Sequence, residues 1–266
     1  MQDGLVVLLE WFAANGIGEL FDDNRALGEH SGTSEEFGGS KSQNLGDTIV
    51  ALAKQQRELK SLSRYDARGV REIADRANSL EELLRAVNGL EIYDDLRKTA
   101  NSTVMLSGNR NPKIMLINDL PGDDDDLSGL IFSGQGGELL RKMFLSIDID
   151  VDSLCLLNSF FWRLPGNRAP IREELEICRP IVERAIGLIR PEFIIFCGNY
   201  GVSTLLEQNR TIASIRGKLL SYSNCYLQSS LGATGMHSPS FLLKNTDRKR
   251  DAWSDLLKIK EFLLGI

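Results

Sequence analysis

The sequence predicts an α/β fold in three layers, α/β/α, around a central, mainly parallel sheet of four strands. The first observation is rhythm: from residue 113 short apolar runs alternate with helical segments, KIMLIN, GELLRKMFLSI, LCLLN, REELEICRPIVERAIGLI and FIIFCG. Strands covered on both faces read as unbroken apolar runs, and the crossovers between parallel neighbours supply the amphipathic segments. The second is composition: 42% of the 266 residues are apolar and 26% charged, enough to bury a core without disulfides or metals. The third is cysteine usage. Cys155, Cys178, Cys197 and Cys225 are widely spaced, and three of them sit in or beside apolar runs, the pattern of reduced core thiols.

Taken in order, residues 1–25 read as an N-terminal helix and 26–44, ALGEHSGTSEEFGGSKSQN, as a flexible linker. Residues 45–89 form a helical extension, with helices over 45–62 and 67–88. The second is broken near Asn78 and Ser79, where Ser79 can cap a new helix with Glu82 three residues on. The main domain spans 90–266. Beyond the runs above it holds a further strand around CYLQSS and a final helix over about 247–264. The opening LVVLLEWFAA follows Asp3 and is interrupted by Glu10, too short for a membrane span and without the basic flank of a leader. The expectation is a soluble, cytoplasmic monomer with no membrane partner.

The net charge of −6 argues at first against a polyanionic partner. The average hides an asymmetry, because acidic residues outnumber basic ones before residue 159 and basic ones lead after it. In open sheets of this kind ligands bind beyond the carboxyl ends of the strands. The loops after residues 117, 158, 198 and 230 are therefore where chemistry is sought. The first carries Asn118, Asp119, Leu120, Pro121, Gly122 and the acids Asp123 to Asp126, then Phe132 within GLIFSGQGGELL. Such an acidic run suits a solvated turn or a helix N-terminus, and its spacing fits no calcium loop. The second carries Asn158, whose amide offers the donor and acceptor that grip a nucleobase edge. PGNRAP follows it as a turn able to present Asn167 and Arg168 to a phosphate or sugar.

The ordered set LINDLPG, Asp125, IFSGQGGELL, LLNSFFWRLPGNRAP, EICRPIVERAIGLIRP, IRG and SPSFLLKNTDRKRDAW resembles the family 4 uracil-DNA glycosylases, over roughly residues 90 to 264. The resemblance implies a hydrolase of DNA base excision, of a bacterial type. It would cleave the N-glycosidic bond of uracil flipped out of DNA, releasing uracil and leaving an abasic site. Matching the family's motifs residue by residue implies catalytic roles for Asp119, Asp125, Asn167 and His237. Phe132 would stack on the base and Asn158 pair with its edge. Arg163, Arg168, Ser238, Arg248, Lys249 and Arg250, with Arg216, would grip the DNA. No metal ligands are implied.

Three departures stand out. The family's leading loop reads glycine-glutamate where this chain has Asn118 and Asp119, drawing the carboxylate back by about one C–C bond of roughly 1.5 Å. Displacements of about 1 Å cost on the order of 100-fold in rate. Where the family places histidine before the proline of its last motif, Ser238 stands here and His237 comes one residue early. Loss of one such donor costs roughly 2.7–4 kcal/mol. Many family 4 enzymes hold a four-iron, four-sulfur cluster on four cysteines. Of those positions only Cys178 keeps its thiol, Trp162 takes another, and the two earlier ones fall near Asp94, so no cluster is expected. The alternative that the first two departures favour is a catalytically weakened or inactive DNA-binding member.

Overall fold

The computed structural model describes residues 67–206 and 210–265. The expected N-terminal helix, the linker and the 45–62 helix lie outside the described residues. The chain enters on α1 (Ala67–Arg76) and α2 (Leu80–Gly89), two helices broken where the sequence indicates. Ser79 Oγ accepts from the Glu82 amide at 3.2 Å while the Glu82 carboxylate accepts from the Asn78 amide at 2.8 Å, so two orphan donors are satisfied reciprocally. A 3₁₀ turn (Glu91–Tyr93) and the short α3 (Asp94–Arg97) lead into the sheet.

The sheet is built from β1 (Leu106–Gly108), β2 (Ile114–Asn118), β3 (Cys155–Asn158), β4 (Phe193–Cys197), β5 (Leu220–Tyr222) and β6 (Leu231–Gly235), in the order β1-β3-β2-β4-β6-β5. The four central strands run parallel to their neighbours, and the edge strands β1 and β5 pair antiparallel. The expected four parallel strands are thus the heart of a six-stranded mixed sheet. Its two margins are three residues each, too short to leave a periodic signal.

The helices divide between the faces. The connections carry α4 (Asp123–Ser128), α5 (Gly134–Leu145), α6 (Arg172–Ile189), α7 (Asn199–Leu205), α8 (Ile212–Ile215), α9 (Pro239–Lys244) and α10 (Lys249–Leu264). Alternate residues of one strand serve opposite cores. Met115 and Ile117 pack with Cys155, Leu157, Ile194 and Phe196 under α1, α2 and α6, whereas Leu116 joins Leu156, Ile195 and Cys197 beneath α5 and α10. This is the three-layer arrangement expected of continuous apolar runs.

Two expectations are corrected. CYLQSS is loop, and the last parallel strand is LGATG, six residues on. That strand lacks an apolar run because its neighbours come too close for side chains. A Cβ at Gly232 would meet the Phe193 ring at 2.8 Å, and one at Gly235 would meet Ile215 at 2.7 Å. Cys155, Cys178 and Cys197 are buried thiols as expected, but Cys225 lies exposed on that loop.

Candidate active site

The carboxyl end of β2 and the segments that follow β3 and β6 border one cleft of about 770 Å³. Its walls gather Asn118, Asp119 and Asp125 from the first loop, with Phe132, Asn167, Ser238 and Lys244 from three later segments. Five positions implied by the resemblance (Asp119, Asp125, Phe132, Asn167 and Ser238) therefore meet here from across 120 residues of chain.

The first loop is held by its own acids. Asp125, buried in the first turn of α4, accepts from the Gly122 amide at 3.1 Å, and from the Ser133 amide and hydroxyl at 2.8 Å each. It thereby fixes the residue after Phe132. Asp126 accepts from the Asn101 amide and side chain and from the Ser102 amide at 2.8–3.1 Å, tying the segment before β1 to the site. Asp123 pairs with Arg163, whose Nε also donates to Asn167 Oδ1 at 3.0 Å. The acidic run is a helix N-terminus, one of the two readings its composition allows, yet two of its four members are buried struts.

Phe132 and Asn167 both adopt left-handed backbone conformations, with φ of 56° and 54°. Side chains other than glycine rarely occupy that region, and when they do the surroundings impose it. Around Phe132 the constraint is visible: a Cβ at Gly137 would lie 1.7 Å from the Phe132 carbonyl oxygen, so α5 approaches this turn only because residue 137 is glycine.

Asp119 is committed to the start of α7. Its carboxylate accepts from the amides of Asn199, Tyr200 and Gly201 at 3.0, 2.7 and 3.0 Å, and lies where a Cβ on Gly198 would fall. Burial pushes its pKa up to about 6, while the three amide donors pull the other way.

Asn158 is fully buried beneath the cleft and does not line it. Its Nδ2 donates to the Val104 carbonyl at 2.7 Å, and its Oδ1 accepts from Asn118 Nδ2 at 2.8 Å. Asn118, directly opposite in the β2–β3 register, lies between it and the opening. The signal was available: two adjacent parallel strands, LIN and LLN, both end in asparagine.

The remaining positions are more scattered. Ser238 caps α9, its Oγ accepting from the Phe241 amide at 3.2 Å. His237 is half-buried outside the cleft lining, stacked on Phe241 with ring centroids 4.7 Å apart. Desolvation, reinforced by Arg216, lowers its pKa below the usual 6.5, which favours the neutral ring. Arg168 is clasped by buried Glu174 through two bonds of 2.9 and 2.6 Å, and Arg248 pairs with Asp247 and Asp251. Lys249 is buried, which does not suit contact with a phosphate, while Arg250 is exposed.

Residues around Cys178 do not fit a four-thiolate cluster. Cys178 is fully buried, and burial pushes its thiol well above the usual range, disfavouring the thiolate that iron needs. Tyr93 and Trp162 pack beside it as a tilted pair with centroids 4.5 Å apart, and Phe160 and Phe161 meet the indole edge-on. Tyr93 donates to the Ile177 carbonyl at 2.9 Å and Trp162 Nε1 to Thr103 Oγ1 at 3.1 Å, so both polar handles are satisfied. Among the described residues no three histidine, cysteine or acidic side chains converge as metal ligands.

Residues 106–257 match the family model described as the uracil DNA glycosylase superfamily. The chain is 28% identical to the type-4 uracil-DNA glycosylase of Archaeoglobus fulgidus over 187 residues, covering 69% of this chain and 92% of that protein. It is 31% identical to the type-4 uracil-DNA glycosylase of Saccharolobus solfataricus over 173 residues, 63% of this chain and 79% of that one. With the Thermotoga maritima type-4 uracil-DNA glycosylase it shares 26% over 171 residues. The match spans more than half of the chain and includes the first loop, Phe132, both strand-end asparagines and the Ser238 turn, and on that ground the protein belongs to the uracil DNA glycosylase superfamily, as a relative of its type-4 members.

Proposed function

We propose that this chain is a DNA repair glycosylase that hydrolyses the N-glycosidic bond of uracil extruded from DNA, acting in the cytoplasm as a monomer. The observation that carries this reading is the convergence of Asp119, Asp125, Phe132, Asn167 and Ser238 on one cleft at the carboxyl ends of the parallel strands. Phe132 stacks on the extruded base, and its imposed backbone conformation keeps the ring in place without further ordering on binding. As the bond from the base nitrogen to C1′ breaks, its electron pair leaves on the base and positive charge builds on the sugar. Asp125, fixed by three hydrogen bonds, stabilises that charge and orients the water whose oxygen bonds to C1′. The proton released by water ends on the departing base. Asp119 holds α7 and the cleft wall. Arg250 and Lys244 supply positive charge toward the DNA backbone, Arg163 braces Asp123 and Asn167, and no iron-sulfur cluster takes part.

The test is cleavage of a single-uracil oligonucleotide, single- and double-stranded, followed by alkaline scission at abasic sites. Wild type should release uracil and Asp125→Asn should lose at least 100-fold in rate. Absence of cleavage by folded wild type on either substrate would overturn the enzyme reading. It would leave a DNA-binding relative with a weakened site, the second reading, which the bonding of both Asn158 amide atoms within the protein favours.

A further inference from the structure

The amides of Asn158 and Asn118 form a relay whose polarity is fixed from one end. The Val104 carbonyl can only accept, so it faces Asn158 Nδ2, and Asn158 therefore turns Oδ1 toward Asn118. Asn118 Nδ2 donates both to that oxygen and to the Leu120 carbonyl at 3.2 Å, which uses both of its hydrogens. What remains is Asn118 Oδ1. It takes no hydrogen bond from any described residue, and it is not sealed in the core, where the orphan oxygens among the described residues are Thr204 Oγ1 and Thr234 Oγ1. Asn118 lines the cleft and Asn158 does not.

We propose that Asn118, and not Asn158, reads the base in this chain, and that it does so with a lone acceptor. The proposal rests on the glycosylase reading above and specifies its substrate class. An amide carrying both donor and acceptor requires an N–H beside a carbonyl. A lone acceptor requires only the N–H, so the site selects bases with a protonated ring nitrogen and leaves an adjacent carbonyl unread. Uracil qualifies through N3–H and hypoxanthine through N1–H, and on this contact alone thymine and guanine qualify as well, so their exclusion falls to other parts of the site. A base whose facing nitrogen carries a lone pair or a methyl group is refused, since Oδ1 has no hydrogen to give and its orientation is locked from Val104 upward.

The experiment uses the full chain and a set of oligonucleotides bearing uracil, N3-methyluracil or hypoxanthine, with binding and excision both measured. Wild type should process uracil and hypoxanthine within roughly tenfold of one another and lose roughly 5- to 100-fold on N3-methyluracil, the range for one base contact. Asn118→Ala should lose a similar factor on uracil, with near-ultraviolet circular dichroism confirming that it folds. If Asn118→Ala instead accelerates uracil excision, the side chain is an obstruction over Asn158 and the proposal falls. Equal handling of uracil and N3-methyluracil by wild type overturns it without recourse to any variant. Failure of wild type to bind or excise any of the three overturns the glycosylase reading itself, an outcome distinct from both.

Discussion

The neighbourhoods of Cys178 and Asn158 both differ from what the resemblance to family 4 implies, and they are held by different physics. Around Cys178, where thiolate ligands are missing, the space is filled by volume: Tyr93, Trp162, Phe160 and Phe161 interlock as rings. Around Asn158, with Asn118 opposite it, hydrogen bonds pass from Val104 to Asn158 to Asn118. Dispersion is additive and tolerant of small shifts, whereas a directional relay has one polarity and transmits it. The first region sets stability and the second sets recognition.

The comparison is broken most severely at Trp162. Trp162→Ala should cost about 3–5 kcal/mol in denaturant unfolding, because a fully buried indole leaves a cavity that its ring partners cannot close. If base excision by the folded fraction changed as well, the two regions would not be separable. Asp126→Ala strikes the other side, leaving the Asn101 and Ser102 amides unpaired and loosening the segment that presents Val104. The expected cost is about 2–4 kcal/mol, with discrimination against N3-methyluracil falling in parallel.

Asp119 tests the same region through pH. Its carboxyl titrates at about 6 in the fold against 3.8 ordinarily, so the folded chain holds that proton more tightly than the unfolded one. The stability it contributes is therefore full below about pH 4 and lost as pH rises to about 6, a change on the order of 2–3 kcal/mol. Asp119→Asn should show no such decline, and a wild-type-minus-mutant difference that stays flat from pH 4 to 7 would refute the assignment. Arg163→Ala, which removes a half-exposed pair with Asp123, should cost less than about 1 kcal/mol. The smallest effect is expected from chelation: metal analysis should find no stoichiometric iron, and a strong chelator should leave the melting temperature unmoved.

How much of this was legible follows from where each signal resides. Strands β2, β3 and β4 announce themselves as apolar runs because helices cover both faces. Strand β6 does not, because Gly232 and Gly235 surrender their side chains to Phe193 and Ile215. The cleft residues Asp125, Phe132, Asn167 and Ser238 were recognisable from ordered motifs. The destination of the Asp119 carboxylate was not, since its partners are three backbone amides some 80 residues away, and backbone groups carry no residue signature. The relay through Asn118 was hidden for a related reason. Two strand-end asparagines are visible in the sequence, but only the register that sets them opposite reveals that their amides are bonded to one another.

The aromatic plug beside Cys178 also bears on how the protein comes to be made. Where a cluster is a structural clasp, maturation waits on iron delivery and the clasp is exposed to oxygen and to scarcity of the metal. A stack of rings asks only for the collapse that any apolar core undergoes. The helices α1 and α2 pack over α6 through side chains the chain already carries, so the fold proposed here, without a cluster, would need no iron to be complete.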